Sequence, residues 1–158
     1  MESVRVGIIG GSGYAGGELA RLLVGHPAVE LSYIASRSLA GQPIEAGAPG
    51  LRGLVSLRYE PVDTAAIAER CEVVFLAVPH GVAAELAPPL LAAGCKVIDI
   101  GADFRLRDVQ TYAAYYGAPH ARPDLVAEAV YGLPELYREA IRTARLVGNP
   151  GCYPAGTL

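Results

Sequence analysis

"VRVGIIGGSGYAGGELARLL", from Val4 to Leu23, decides the fold. Its opening, Val4 to Gly10, is an apolar run rich in β-branched residues. A run without polar alternation reads as a strand buried on both faces. Beyond it, Ala15, Leu19, Leu22 and Leu23 recur at the spacing of an apolar helical stripe, which His26-Pro27 ends. Between the two lies a glycine turn. Gly11, Gly13 and Gly16 fit G-x-G-x-x-G, and Gly10 allows a second register, G-x-x-G-x-x-G. A strand that turns at once into a helix needs residues without a Cβ. So does a pyrophosphate that must approach bare backbone at a helix N-terminus. The expected unit is therefore strand, dinucleotide-binding turn, helix.

Val29 to Ser36 reads as the second strand. An NAD-selective site carries Asp or Glu at this strand end, bonded to the ribose 2′-hydroxyl. Here the residues are Ser36, Arg37 and Ser38, a guanidinium and two hydroxyls that suit a 2′-phosphate. The cofactor expected is NADP(H). The alternative for Arg37 is an ordinary surface arginine.

Outward from this unit the pattern repeats. Ala40 to Gly53 is a Gly/Pro-rich loop, and "LVSLRYEPV" (54–62) reads as a strand. A short helix capped by Asp63 follows. Glu72 to Val78 is a buried strand, and Val82 to Gly94 a helix that Pro88-Pro89 should kink or divide. Cys95 to Gly101 is the next strand. Asp108 to Gly117 and Leu133 to Ala144 read as helices, and a last strand falls within "RLVGNPG" (145–151). Alternating strands and helices specify an α/β fold, a doubly wound Rossmann-type parallel sheet. The glycine turn, Ser36-Arg37, Pro79-His80 and Ala102 to Arg105 then all sit beyond carboxyl strand ends, where such sheets bind ligands.

Composition narrows the function. The chain has 158 residues, 52% of them hydrophobic, enough for one domain with a full core. A net charge of −3 offers no basic face to nucleic acid. The N-terminal run is short, glycine-broken and preceded by an acid, so neither a signal peptide nor a membrane span is expected. Three cysteines without paired spacing suggest thiols in a reducing cytoplasm rather than a disulfide framework, and no metal cluster.

One cysteine stands apart. Cys152 lies in "GNPGCYP" (148–154), on a tight Pro-Gly turn from which "CYPAGTL" can open a helix. A helix N-terminus lowers a thiol pKa and can later hold an oxyanion. Cys71 precedes a buried strand and Cys95 begins one, so both read as inert core thiols. A dinucleotide site with one activated cysteine implies thiol attack on a carbonyl carbon and hydride exchange with the nicotinamide. On an acyl phosphate that means thioester formation, phosphate loss and reduction to an aldehyde.

Taken together, "VGIIGGSGYAGGELARLL", "IASRSLAG", "VVFLAVPHG", "VIDIGADFR", "YGLPELYR" and "GNPGCYP" resemble the N-terminal part of the N-acetyl-gamma-glutamyl-phosphate reductase family, over nearly all of the chain. A close relative of that family acts on carrier-protein-bound aminoadipyl phosphate in lysine biosynthesis. The resemblance implies an NADP-dependent oxidoreductase of arginine biosynthesis, homo-oligomeric, with a small acyl-phosphate substrate or a carrier-bound one. A non-catalytic dinucleotide-binding module is the competing expectation. Residue by residue, Cys152 matches the catalytic nucleophile, and Ser12, Gly13, Tyr14 and Ala15 the pyrophosphate loop. Ser36, Arg37 and Ser38 match the 2′-phosphate contacts, and Pro79 and His80 a loop near the cofactor. Arg105 and Asn149 fall on the substrate side. His80 reads equally as a hydrogen-bonded loop residue, and Arg105 as the partner of Asp103 or Asp108. Two departures stand out. Ala155 replaces the family's usual Thr, and the family continues past this point with a second domain that carries a catalytic histidine, which none of His26, His80 and His120 matches. The resulting division is an NADP-binding unit over 1–148 and the start of a catalytic unit over 149–158.

Overall fold

The computed structural model describes residues 3–157; the outer limits of the two expected units lie outside the described residues. Six parallel strands form one sheet: β1 (Val4–Ile9), β2 (Val29–Ala35), β3 (Val73–Leu76), β4 (Lys96–Asp99), β5 (Val130–Tyr131) and β6 (Leu146–Gly148). Their spatial order is β2-β1-β3-β4-β6-β5. From β1 the chain goes to β2 on one side and later to β3 on the other, so the order reverses beside β1. That reversal opens a crevice at the carboxyl edge.

Helices cover both faces, as an all-parallel sheet requires. They are α1 (Tyr14–Val24), α2 (Thr64–Arg70), α3 (Ala83–Ala92), α4 (Val109–Tyr116), α5 (Pro123–Glu128), α6 (Pro134–Thr143) and α7 (Cys152–Thr157). Val6 and Ile8 join Ala20, Leu23, Leu31, Ile34, Ile44, Leu51 and Tyr59 in one core cluster. Ile9, one residue out of phase, joins the other with Val74, Leu76, Ala84, Ala87, Leu90 and Val97. The two-residue period of β1 thus feeds two cores. Asp63 caps α2 as expected, accepting from the N–H groups of Ala65 and Ala66 at 3.0 and 3.1 Å.

Several local expectations are corrected. The buried stripe of α1 is Gly16, Ala20 and Leu23, whereas Ala15 and Leu22 face outward. The helix turns its small residues inward because its first turn lies directly against the glycine loop. Residues 54–62 form no sheet strand. They run extended past the end of β2, with isolated bridges Ala35–Glu60 and Pro43–Arg58, and drive Tyr59 fully into the core. Pro88 and Pro89 do not divide α3; five buried residues (Ala83, Ala84, Ala87, Leu90 and Leu91) hold it as one helix. Burial of that face outweighs the ~3 kcal/mol helix penalty of a proline. The sequence reading also lacked α5 and β5, which add a short strand at the sheet's outer edge.

Candidate functional site

The glycine turn is built by exclusion. Gly10 has φ +88°, and a Cβ there would lie 2.1 Å from the carbonyl oxygen of Ala77. A Cβ on Gly16 would lie 2.3 Å from the carbonyl oxygen of Gly10. Strand, helix and the segment after β3 therefore meet at distances that only glycine permits. Gly13 differs: its missing Cβ would meet nothing closer than 3.6 Å. It caps α1 with no side-chain partner, and the N–H groups of Tyr14, Ala15 and Gly16 find no acceptor among the described residues. A bare backbone with free donors at the positive end of an eleven-residue helix is a cradle for a phosphate.

Below this turn lies a half-open crevice of about 310 Å³, lined by Gly10, Ser12, Gly13, Ser36, Arg37, Ser38 and Pro79 among others. Seven of the residues singled out in the sequence thus share one hollow at the strand-order reversal. Apolar walls from Val62, Val82 and Leu86 complete it, and the sequence reading missed all three. A larger hollow of about 580 Å³ shares Ser12 and Gly13 but lies against the outer side of α1 and residues 47–51. We assign the smaller one, because it alone gathers three carboxyl strand ends.

Within the crevice, Ser36 is buried, and its hydroxyl lies 2.7 Å from that of Ser12 and 3.3 Å from that of Ser38. It ties the turn to the β2 end more than it faces solvent. Arg37 is exposed, with no ion pair among the described residues. Tyr14 and Ala15 present their backbones in the first turn of α1 while their side chains are exposed. His80 is exposed outside the crevice lining, its ring 5.5 Å from that of Tyr116.

A second corner forms beyond β4 and β6. The Asp99 carboxylate accepts from Gly101 N at 2.8 Å and Phe104 N at 3.2 Å, which curls the loop into position. Burial, reinforced by the nearby Asp103 carboxylate, pushes the Asp99 carboxyl up to about 6. The main-chain oxygen of Asp99 accepts from Asn149 N at 2.8 Å, and a Cβ on Gly148 would strike the Phe104 carbonyl oxygen at 2.1 Å. The loop and the "GNPGCYP" turn are thereby clamped together. Arg105 donates to the carbonyls of Ile100 and Gly101, and one of its terminal nitrogens lies 3.2 Å from where a Cβ on Gly151 would sit. It forms no ion pair with Asp103 or Asp108, and its Nε is buried without a partner among the described residues. Asn149 donates from its side chain to the Pro150 carbonyl.

Cys152 begins α7 and is exposed, while Cys71 and Cys95 are buried, and all three are free. Burial pushes the Cys71 thiol up to about 11 and raises that of Cys95 as well. The surface thiol and the two core thiols are separated by environment as the sequence implied. Cys152, Arg105 and Asn149 share the carboxyl edge with the crevice but do not line it. No helix among the described residues is long and apolar enough to cross a membrane.

Comparison with known proteins agrees with this geometry. Residues 5–144 match the family model described as semialdehyde dehydrogenase, NAD binding domain. The N-acetyl-gamma-glutamyl-phosphate reductase of Rippkaea orientalis is 51% identical over 99% of this chain and 45% of its own length. That of Herminiimonas arsenicoxydans is 56% identical over 96% of this chain and 44% of its own. The chain thus spans less than half the length of these relatives. Among solved structures, aspartate semialdehyde dehydrogenase with NADP from Candida albicans superposes with a TM-score of 0.68 at 16% identity, covering 97% of this chain and 44% of that one. Aspartate semialdehyde dehydrogenase II from Vibrio cholerae gives 0.65 at 21%, covering 96% and 43%. These two likenesses concern the fold. By its matched residues and its glycine-turn sheet, the chain belongs to the semialdehyde dehydrogenase family, as the NAD-binding domain of that family.

Proposed function

We propose that this chain is the NADPH-binding half, with the nucleophile, of an N-acetyl-gamma-glutamyl-phosphate reductase. The carrying observation is identity of 51–56% to reductases of that name over 96–99% of the chain. Residues 1–148 hold the cofactor, and 149–158 open the catalytic unit. Gly13 leaves the backbone bare for the pyrophosphate, Gly10 and Gly16 let the turn close beneath it, and Ser12, Tyr14 and Ala15 lie in the same loop. Arg37 and Ser38 receive the 2′-phosphate, Ser36 fixes that loop, and Pro79 and His80 border the cofactor.

Cys152 attacks the γ-acyl carbon as a thiolate. The acyl–oxygen bond to phosphate breaks, and phosphate leaves with the bonding electrons, giving a thioester on Cys152. Arg105, with an unpartnered Nε and a nitrogen beside Gly151, steadies the phosphate as it departs, and Asn149 orients the acyl chain. When bound, the reduced nicotinamide supplies the hydride that converts the thioester to an aldehyde. The thiolate is then released, ready for the next turnover. The enzyme works in the reducing cytoplasm as a homo-oligomer.

The test is phosphate-dependent reduction of NADP by the protein at its natural full length. The two substrates offered are N-acetylglutamate semialdehyde and the carrier-bound aminoadipate semialdehyde. A rate confined to the first supports the proposal. A rate confined to the second transfers the enzyme to lysine biosynthesis. No rate with either, despite tight NADPH binding, marks a non-catalytic module.

A further inference from the structure

Asp103 is fully buried and lies outside the glycine crevice, yet it reaches three separate segments. One carboxylate oxygen accepts from Gly81 N at 2.7 Å and from the Tyr112 hydroxyl at 2.9 Å. The other accepts from Ala84 N at 3.0 Å. α3 has Val82 at its N-cap, which offers no side-chain acceptor. The first-turn donors of α3 are instead served by a carboxylate from a later loop, placed at the positive end of the helix.

The same residue is held from behind. Arg122 N donates to His120 Nδ1 at 3.0 Å, so that ring nitrogen is the acceptor and Nε2 carries the proton. Nε2 then donates to the Asp103 carbonyl oxygen at 2.7 Å. Tyr112 packs edge-on to His120 at 4.7 Å and lies 4.8 Å from Tyr116, which in turn lies against His80. The Pro79–Gly81 loop is therefore gripped twice, through its backbone by Asp103 and through His80 by Tyr116.

We propose that Asp103 is a positioning residue for the cofactor side of the site, holding the Pro79–Gly81 loop and the start of α3 against the dinucleotide crevice through Gly81, Ala84 and Tyr112. This rests on the NADPH-dependent reading above. The carboxylate of Asp103 makes no hydrogen bond or ion pair with Arg105 or Cys152; the Asp99 carboxylate curls the loop that carries Arg105, and the carbonyls of Ile100 and Gly101 hold its guanidinium. The consequence is selective. Loosening Asp103 disturbs the cofactor and spares the acyl-phosphate side.

The experiment compares parent, Asp103→Asn and Tyr112→Phe in the full-length protein. It measures KM for NADPH, KM for acyl phosphate, kcat and the alkylation rate of Cys152. Asn keeps the shape but has one acceptor oxygen where the carboxylate offers two, so KM for NADPH should rise about tenfold, the scale of a lost bond to a charged group. Tyr112→Phe should raise it about threefold, since one neutral donor is removed and the carboxylate keeps its other partners. KM for acyl phosphate and the alkylation rate should stay within about twofold in both. A merely structural role would lower the active fraction, scaling kcat and leaving KM for NADPH unmoved, and that result overturns the proposal. If Asp103→Asn does not fold, Tyr112→Phe decides on the same criteria. A parent protein that does not bind NADPH removes the underlying reading itself, whereas an active parent with unaltered variants removes only the role of Asp103.

Discussion

The two ends of the carboxyl edge are built in opposite ways. At the glycine turn, the site is made of what is absent: no Cβ at Gly10 or Gly16, and no side-chain cap on α1. At the Arg105–Cys152 corner, it is made of what is present. The carboxylate of Asp99 curls the loop through two N–H groups, and the carbonyls of Ile100 and Gly101 hold the Arg105 side chain in place. On the proposed function, the first end fixes backbone for a ligand whose phosphates are the same in every turnover, and the second aims a thiol and a guanidinium at a group that changes during the reaction. The backbone cradle tolerates no added atom at Gly10 or Gly16. The side-chain corner is assembled from several separate hydrogen bonds and should fail by degrees.

The largest effect belongs to the corner. In the full-length protein, Cys152→Ser should lower kcat by at least about a thousandfold, the scale of removing a covalent nucleophile. Folding stability should stay within ~0.5 kcal/mol, because the residue is exposed. Timed alkylation of the parent should modify Cys152 before Cys71 and Cys95. Equal rates at all three thiols would deny Cys152 its special status. At the other end, Gly10→Ala should destabilise the fold by about 3 kcal/mol, read from the urea midpoint, since it combines overpacking with a left-handed φ. Gly13→Ala, whose added Cβ would meet only the Gly10 carbonyl oxygen at an ordinary 3.6 Å, should leave stability within ~0.5 kcal/mol. It should nonetheless weaken dinucleotide binding. If both variants lose stability alike, the cradle is a packing feature rather than a binding surface.

This contrast also explains what could be seen beforehand. The glycine turn was legible because its constraints are local: spacing, a buried strand before and a helix after. Cys152 was legible because its neighbours are turn formers, while Cys71 and Cys95 adjoin apolar strands. Asp103 was not, since its partners Gly81 and Ala84 lie 22 and 19 residues earlier and only the fold brings them together. The alternation around Tyr59 is strand-like. Whether a neighbouring strand exists to pair with such a segment is a property of the whole sheet. Along α1, hydrophobicity ranks Leu22 above Gly16, whereas close approach to the turn buries Gly16.

A smaller effect concerns Asp99 and pH. Its carboxyl stands at about 6 in the folded protein, against an ordinary 3.8. Between those values the folded state binds the proton more readily than the unfolded chain. Stability therefore falls as pH rises from about 4 to 6, by on the order of 2–3 kcal/mol from this group, and is flat above. Asp99→Asn should erase that slope in urea midpoints measured across the range. Parallel curves for parent and variant would show that the Asp99 proton is not linked to folding.

The smallest effect tests cofactor choice at the rim of the crevice. Arg37 is exposed, so its charge is screened and its contribution modest. Removing one guanidinium from a 2′-phosphate costs roughly 1.4 kcal/mol at such a site, so Arg37→Ala should weaken NADPH binding about tenfold. NADH lacks the 2′-phosphate, and its binding should not change. Raising the salt concentration should narrow the gap between parent and variant for NADPH alone. An equal loss for both coenzymes would move Arg37 onto a part of the dinucleotide that they share, and no loss for either would leave it a surface arginine. Either result would mean that the β2 end does not select the cofactor through a charge. Selection would then fall to Ser38, a neutral donor beside the buried Ser36, and a neutral donor discriminates a phosphate from a hydroxyl far less sharply than a guanidinium does.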